Sequence, residues 1–361
     1  MAIPLFSSSL DHHKPRLIEK LAEVVDGGRY ILGPEVDAFE AEFARYIGVG
    51  HCVGVANGTD AITIALRALG VRPGDEVVCP SYTFWATVEA AINAGATPVY
   101  CDVDAETACV TADTVRAAIT PRTKAVIAVH LYGNVAPVAE LRDLGLPVLE
   151  DAAQAAGATL DDARAGALGH AATFSFFPSK NLPCLGDGGA IVTDDEEVAR
   201  AARRLRFHGS VDKKTFVDVG YNSRLDELQA AALRILLPEL DGWTAARREA
   251  AAAYERHGLA EHVTPIRAVD GAEPAYHLYV VRSERADELA AALTDRGIGA
   301  RAYYRVPSHR QPAVAHLLPH GQDLPATDEL ARTGLALPMG TGLSEAQAAE
   351  VVEAVAASLD A

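Results

Sequence analysis

ATFSFFPSKNLPCLGDGGAIVTDD, residues 172–195, reads as two short buried strands, ATFSFF (172–177) and AIVTD (190–194). Between them lie a proline, a lysine and a flexible LGDGG turn (185–189). Working outward, apolar β-branched runs recur at CVGVAN (52–57), EVVCP (76–80), TPVYC (97–101), KAVIAVH (124–130) and LPVLE (146–150). A helix opens at Gly58-Thr59-Asp60 and runs to Leu69, and GVRPGDE (70–76) is a turn. Strands alternating with helices predict an α/β fold, a mostly parallel sheet between helices.

Beyond this region, Arg224 to about His257 has helical periodicity, with Pro238 set to kink or break it. HLYVVR (277–282), a helix at Ala286–Asp295, a strand at GARAYY (299–304) and a last helix at Glu345–Leu359 predict a smaller C-terminal α/β domain. The expected division is 1–240 for the large domain and 241–361 for the small one, a split that suits a chain of 361 residues.

Composition narrows the function. Forty-nine acidic against 32 basic residues give a formal charge of −17, which disfavours nucleic acid and anionic membrane. No apolar run approaches the roughly 20 residues of a membrane span, and the first residues lack the pattern of a secretory signal. The five cysteines show no metal-ligand spacing, so no metal is expected, and their odd, scattered set points to free thiols in a reducing cytoplasm.

Four features fall at strand ends, where open α/β sheets bind ligands. Asn57-Gly58-Thr59-Asp60 suits a phosphate at a helix N-terminus, or is an ordinary helix start capped by Thr59 or Asp60. Asp151 follows the strand LPVLE as a surface or capping group, or as the partner of a protonated ring nitrogen, with Gln154 within reach of the same ligand. Lys180, one of only six lysines, is a solvated loop residue or an imine-forming amine held in a low-dielectric crevice. Ser175, five residues earlier, could donate to a phosphate. The turn at Tyr221-Asn222-Ser223 precedes a helix, which Asn222 or Ser223 would cap. Together these supply what pyridoxal phosphate needs: a phosphate cup, a pyridine-nitrogen partner and an imine lysine, with Phe84 to cover the ring.

The chain resembles the DegT/DnrJ/StrS family of sugar-nucleotide aminotransferases. The matching blocks run from GRYILGPEVDAFEAEFARYIGV (28–49) through ANGTDA (56–61), EDAAQAAGA (150–158), FSFFPSKNLPCLGDGGAIVTDD (174–195) and GYNSRLDELQAA (220–231) to YYRVPSHRQPA (303–313). The resemblance implies the fold type I architecture, with a seven-stranded sheet in the large domain, and pyridoxal 5′-phosphate cycling with its pyridoxamine form. It implies that Lys180 forms the imine and shuttles the proton, Asp151 pairs with the ring nitrogen, Gln154 approaches the ring hydroxyl and Phe84 stacks. Gly58, Thr59 and Ser175 would hold the phosphate, and Asn222 would reach it from the partner chain of a homodimer. Tyr30, Arg224, Tyr304 and His309 are candidates for the sugar-nucleotide side. The implied reaction moves an amino group from L-glutamate to a nucleotide-linked keto sugar, dTDP-3-keto-6-deoxyhexose or a UDP-linked 3-keto sugar. Departures from the family pattern fall at Pro183-Cys184, in a shortened AELRDLGLP (139–147), and at Ala302-Tyr303-Tyr304-Arg305, where only one tyrosine of the usual Ile-His-Tyr-Pro remains.

Three alternatives compete. A sugar dehydratase of the same family would carry histidine in place of Lys180. A lyase or desulfurase would use Cys184 as its thiol. A non-catalytic regulatory homologue would have lost the lysine or the aspartate.

Overall fold

A computed structural model describes residues 2–7, 10–317 and 323–359. Seven strands form the central sheet: β1 (His51–Val55), β2 (Glu76–Pro80), β3 (Thr97–Cys101), β4 (Thr123–Val129), β5 (Val148–Asp151), β6 (Ala171–Ser175) and β7 (Gly189–Thr193). Their order across the sheet is β1-β7-β6-β5-β4-β2-β3. Only β7 runs against the others, pairing antiparallel with β1 and β6. β2 and β7 are buried along their whole length, as their Val- and Ile-rich sequences require of strands covered on both faces. Six carboxyl ends therefore open on one edge of the sheet. Strand order turns back between β2 and β4, which leaves a crevice there.

Two buried carboxylates tie distant segments together. Glu227 accepts the backbone N–H groups of Gly33 (2.7 Å), Glu35 (2.9 Å) and Val36 (3.0 Å), capping the helix Pro34–Ile47 from a distant segment. Glu150 accepts those of Gly166 (2.8 Å), Leu168 (2.8 Å) and Gly169 (2.6 Å), and His130 donates to it at 2.8 Å. His130 Nδ1 accepts from Ala136 N–H, so the ring's proton sits on Nε2.

The long helical stretch divides at Pro238 as its sequence predicts. Helix Glu227–Leu236 gives way to a single 3-10 turn, Leu237–Glu239, before helix Leu240–Arg256. The C-terminal unit joins the antiparallel strands Thr264–Pro265, Tyr279–Arg282 and Gly334–Leu337 to helices Ala286–Asp295 and Glu345–Leu359. The first residues of the chain belong to it as well: Ile3 enters its core and bridges Ile298, and Phe6–Ser7 pairs in parallel with Met339–Gly340. Asp102, just after β3, ties the two units by accepting from Ala326 N–H, Thr327 N–H and the Thr327 hydroxyl.

One expected strand is missing. In GARAYY only Arg301 forms a ladder bridge, to Ala336. The backbone that would continue it is engaged by side chains instead: the Tyr303 carbonyl accepts from the hydroxyls of both Tyr82 and Tyr132. That pulls the segment off the sheet and over the crevice.

Candidate active site

The crevice holds a cavity of about 360 Å³. Its walls include Asn57, Gly58, Thr59, Phe84, Asp151, Gln154, Ser175, Lys180 and Tyr304. The sequence scatters these over nearly 250 positions, and the ends of β1, β2, β5 and β6 bring them to one place.

After β1 the chain enters helix Gly58–Ala68. Asn57 is its N-cap, its side-chain oxygen accepting from Asp60 N–H at 2.8 Å, so the cap is neither Thr59 nor Asp60. Gly58 and Thr59 stand in the first turn, where backbone N–H groups have no partner inside the helix and the dipole favours an anion. Capping and anion binding, alternatives in the sequence, are thus compatible here. Close approach explains Gly58: a β-carbon would sit 2.7 Å from Ser175 Cβ.

β5 delivers Asp151 into the cavity wall. It is 5 % exposed. Its Oδ2 accepts from the Thr87 hydroxyl at 2.8 Å and its Oδ1 from Ala153 N–H at 3.2 Å. Thr83 shares a hydrogen bond of 2.9 Å with Thr87, so a threonine pair on the neighbouring segment orients the carboxylate. Burial raises the Asp151 pKa, against the lowering effect of Thr87, Ala153 and the Lys180 charge. Gln154 is fixed at both ends: its Oε1 accepts from Tyr132 N–H at 2.6 Å, and its Nε2 donates to the Tyr304 hydroxyl at 3.3 Å. Phe84, 54 % exposed, leans on Tyr304 with ring centroids 5.9 Å apart.

Lys180 lies in the turn after β6. Phe176 N–H donates to Gly188 carbonyl (2.8 Å), and Cys184 N–H donates to Phe176 carbonyl (2.7 Å), closing that turn on itself. Asn181 anchors the far side, its amide donating to Ala275 carbonyl at 2.8 Å and its oxygen lying 3.2 Å from His277 Nδ1. Among the described residues the Lys180 ammonium makes no hydrogen bond or ion pair. Burial pushes its pKa down to about 8, with Asp151 opposing. A lysine that loses its proton near neutrality is a competent nucleophile and base.

Cys184 is fully buried, its thiol donates to Gly186 carbonyl at 3.1 Å, and burial raises its pKa to about 11. That is the environment of a packing residue, not of a reactive thiol.

The remaining candidates stand elsewhere. Asn222 is exposed, bridges Phe207 and accepts from Arg224. It caps nothing, and neither does Ser223, because the next helix starts at Glu227 after Asp226. The Ser223 hydroxyl is taken by Ala56 N–H. Arg224 lies over the Phe207 ring at 5.3 Å, and Tyr30 donates to Val25 carbonyl. His309 pairs with the Ser81 hydroxyl at 2.5 Å. None of these five lines the cavity, and of the sugar-nucleotide candidates only Tyr304 does. Sequence reasoning gave no role to Thr87 or His277. Thr87 sits one turn along the helix that Phe84 opens, and His277 lies inside the quoted block HLYVVR, so both were visible without a sign of their target.

Among the described residues no group of His, Cys, Asp or Glu side chains could hold a metal ion, and no helix is long and apolar enough to cross a membrane. The model of the DegT/DnrJ/EryC1/StrS aminotransferase family matches residues 11–356. The chain is 47% identical, over 93% of its length and 90% of the relative's, to the dTDP-3-amino-3,4,6-trideoxy-alpha-D-glucose transaminase of Streptomyces venezuelae. It is 44% identical to a pleiotropic regulatory protein of Geobacillus stearothermophilus, over 99% of its length and 98% of the relative's. DesV of S. venezuelae, solved in complex with a ketimine intermediate, superposes with a TM-score of 0.94 at 44% identity, covering 98% of this chain and 97% of that one. The chain belongs to the DegT/DnrJ/EryC1/StrS aminotransferase family.

Proposed function

We propose that this chain is a pyridoxal 5′-phosphate-dependent aminotransferase that moves an amino group from L-glutamate to a nucleotide-linked keto sugar. The observation that carries the reading is Lys180 facing the same cavity as buried Asp151, with burial drawing its pKa toward neutrality. The cavity's residues fit the cofactor by their chemistry: unpartnered N–H groups and a hydroxyl for a phosphate, an oriented carboxylate for a ring nitrogen, an amine for an aldehyde. Bound there, the cofactor supplies an aldehyde that accepts the amino group and an electron-poor ring that stabilises the carbanion next to it.

The chain's own groups do the rest. Gly58 and Thr59 N–H groups and the Ser175 hydroxyl hold the phosphate. Asp151, aligned by Thr87, keeps a proton on the ring nitrogen, because a buried carboxylate favours a positive partner beside it. Lys180 Nζ takes a proton from the donor carbon and returns one to the sugar carbon, a transfer typically worth about 10²–10⁴-fold. Phe84 would cover one face of the ring, and Gln154, braced by Tyr132, would meet its hydroxyl.

The acceptor is a 3-keto sugar carried on dTDP or UDP. The trideoxyglucose transaminase relative supports that class, as does the Lys-Asn-Leu…Leu-Gly-Asp-Gly-Gly form of residues 180–189. The active form is a homodimer in which Asn222 reaches the partner's phosphate site. Val211, Phe216, Val217 and Val219, all more than half exposed just before Asn222, support an interface there. Five buried free cysteines fit a reducing cytoplasm.

The test pairs the purified protein and its Lys180→Ala variant with glutamate and a panel of nucleotide-linked 3-keto and 4-keto sugars. The expected outcome is 2-oxoglutarate and one aminated product by mass and NMR, with no turnover in the variant. Undiminished multiple turnover by Lys180→Ala would overturn the mechanism. Wild-type protein inert toward every sugar and toward glutamate would favour a regulatory role.

A further inference from the structure

Among the described residues Arg247 has no acidic partner. It projects from helix Leu240–Arg256 and is 6 % exposed. Its Nη1 donates to Tyr276 carbonyl at 3.0 Å, while its Nε is buried without a hydrogen bond. No ion pair reaches it among the described residues. A guanidinium withdrawn from water needs a charged or strongly polar acceptor, and leaving one donor unmet costs free energy. Burial holds its pKa down to about 10.

What Arg247 faces is a second, half-open space of about 90 Å³, lined also by Ser7, Ser179, Lys180, Asn181 and Trp243. Among the described residues no acidic side chain borders it. Lys180 lines both this space and the larger cavity, as do Phe6 and Ser179, so the two adjoin along these residues. The space, at about 90 Å³, is far smaller than the 360 Å³ cavity beside it. A group the size of a carboxylate fits there. The planar guanidinium fork is matched to a carboxylate, and the hydroxyl side chains Ser7, Ser179 and Thr341 and the Asn181 amide line the same space. His277, which touches Asn181, is kept neutral by burial and by the charges of Lys180 and Arg247, so it does not compete for the anion.

We propose that Arg247, with the small space it shares with Lys180, is the seat for a carboxylate of the amino donor. The proposal rests on the aminotransferase reading above and adds the side from which the donor is held. It explains a donor that carries a carboxylate close to its amino group, and it separates donor recognition from the sugar nucleotide, whose site lies on the larger cavity.

The experiment has two arms. In calorimetry on the cofactor-free chain, glutarate, a dicarboxylate without an amine, binds wild type, and Arg247→Gln abolishes the signal. Inorganic phosphate at the same concentration gives none. In steady state on the holoenzyme, Arg247→Gln raises the KM for glutamate by about ten- to hundredfold, the loss of one charged hydrogen bond. The KM for the keto sugar stays within a factor of two, and Arg247→Lys recovers part of the loss. Reaction with a simple alkylamine, which has no carboxylate, is slowed no more in the variant than in wild type. A variant that merely loosens the fold would slow both donors and raise both KM values. That result, or wild type that binds phosphate as well as glutarate or binds neither, would overturn the proposal. Should Arg247→Gln fail to fold, wild-type calorimetry still decides. Failure of the aminotransferase reading looks different: wild-type holoenzyme would show no spectral response to glutamate, whatever the calorimetry gives.

Discussion

The pKa of Lys180 makes a prediction that can be followed by eye in a spectrophotometer. Only the neutral amine attacks an aldehyde, so capture of pyridoxal 5′-phosphate by cofactor-free protein must track deprotonation of Lys180. Its pKa is lowered to about 8 because burial disfavours the ammonium more than Asp151 favours it. At pH 7 about one molecule in ten then carries a neutral amine, against about one in 3,000 for an ordinary lysine, an advantage of about 300-fold. The perturbation is pH itself, varied from 6 to 10 in stopped-flow mixing, with imine absorbance as the readout. The rate should rise tenfold per unit below pH 8 and flatten above it. Asp151→Asn removes the charge that raises the lysine's pKa, so the midpoint moves to lower pH. A midpoint above 9.5 in wild type, or a shift upward in Asp151→Asn, would refute the burial argument.

Three further outcomes follow from the geometry. Thr87→Val deletes the hydrogen bond to Asp151 Oδ2 and should lower kcat about tenfold, the rate equivalent of one hydrogen bond. Both KM values should hold and Thr87→Ser should restore the rate; an unchanged kcat refutes the positioning role. Gly58→Ala places a β-carbon 2.7 Å from Ser175 Cβ, so equilibrium dialysis should show cofactor affinity reduced by about tenfold or more; full affinity would count against the cup. Glu227→Ala strands three backbone N–H groups and should destabilise the fold by on the order of 3 kcal/mol in urea unfolding while leaving the cofactor spectrum of folded protein intact. A shift under 1 kcal/mol would mean that water replaces the carboxylate.

Much of the fold was legible because its signals are local. Five-residue runs such as EVVCP and TPVYC coincide with β2 and β3 residue for residue, since both are short runs of mostly apolar and β-branched residues bounded by turns. Pro238 broke its helix where its missing N–H demanded. Lys180, Asp151, Gln154 and Ser175 were legible as a set because Asp151 and Ser175 end strands, Gln154 and Lys180 follow within five residues, and strand ends in one sheet converge. What failed was non-local. GARAYY has a strand's pattern, but its Tyr303 carbonyl is claimed by Tyr82 and Tyr132, more than 170 residues away. Asn222 has a cap's chemistry, but pairing with Phe207 fixes it before the helix begins. Thr87 could not announce a partner 64 positions on, and Arg247 looked like one more charge on a helix until burial stripped it of an acid.

The bridges from Ile3 and Phe6–Ser7 to the C-terminal unit bear on how the chain is made. Their partners, Ile298 and Met339–Gly340, are among the last parts synthesised. At roughly 5–20 residues per second the opening segment waits tens of seconds for them. During that wait the seven-stranded sheet can close, but the C-terminal unit cannot be completed by its own stretch of chain. A clone that begins at residue 241 would express a core lacking Ile3 and an edge lacking its outer strand. Supplying residues 2–7 on a short linker after Leu359 would be the way to rescue it.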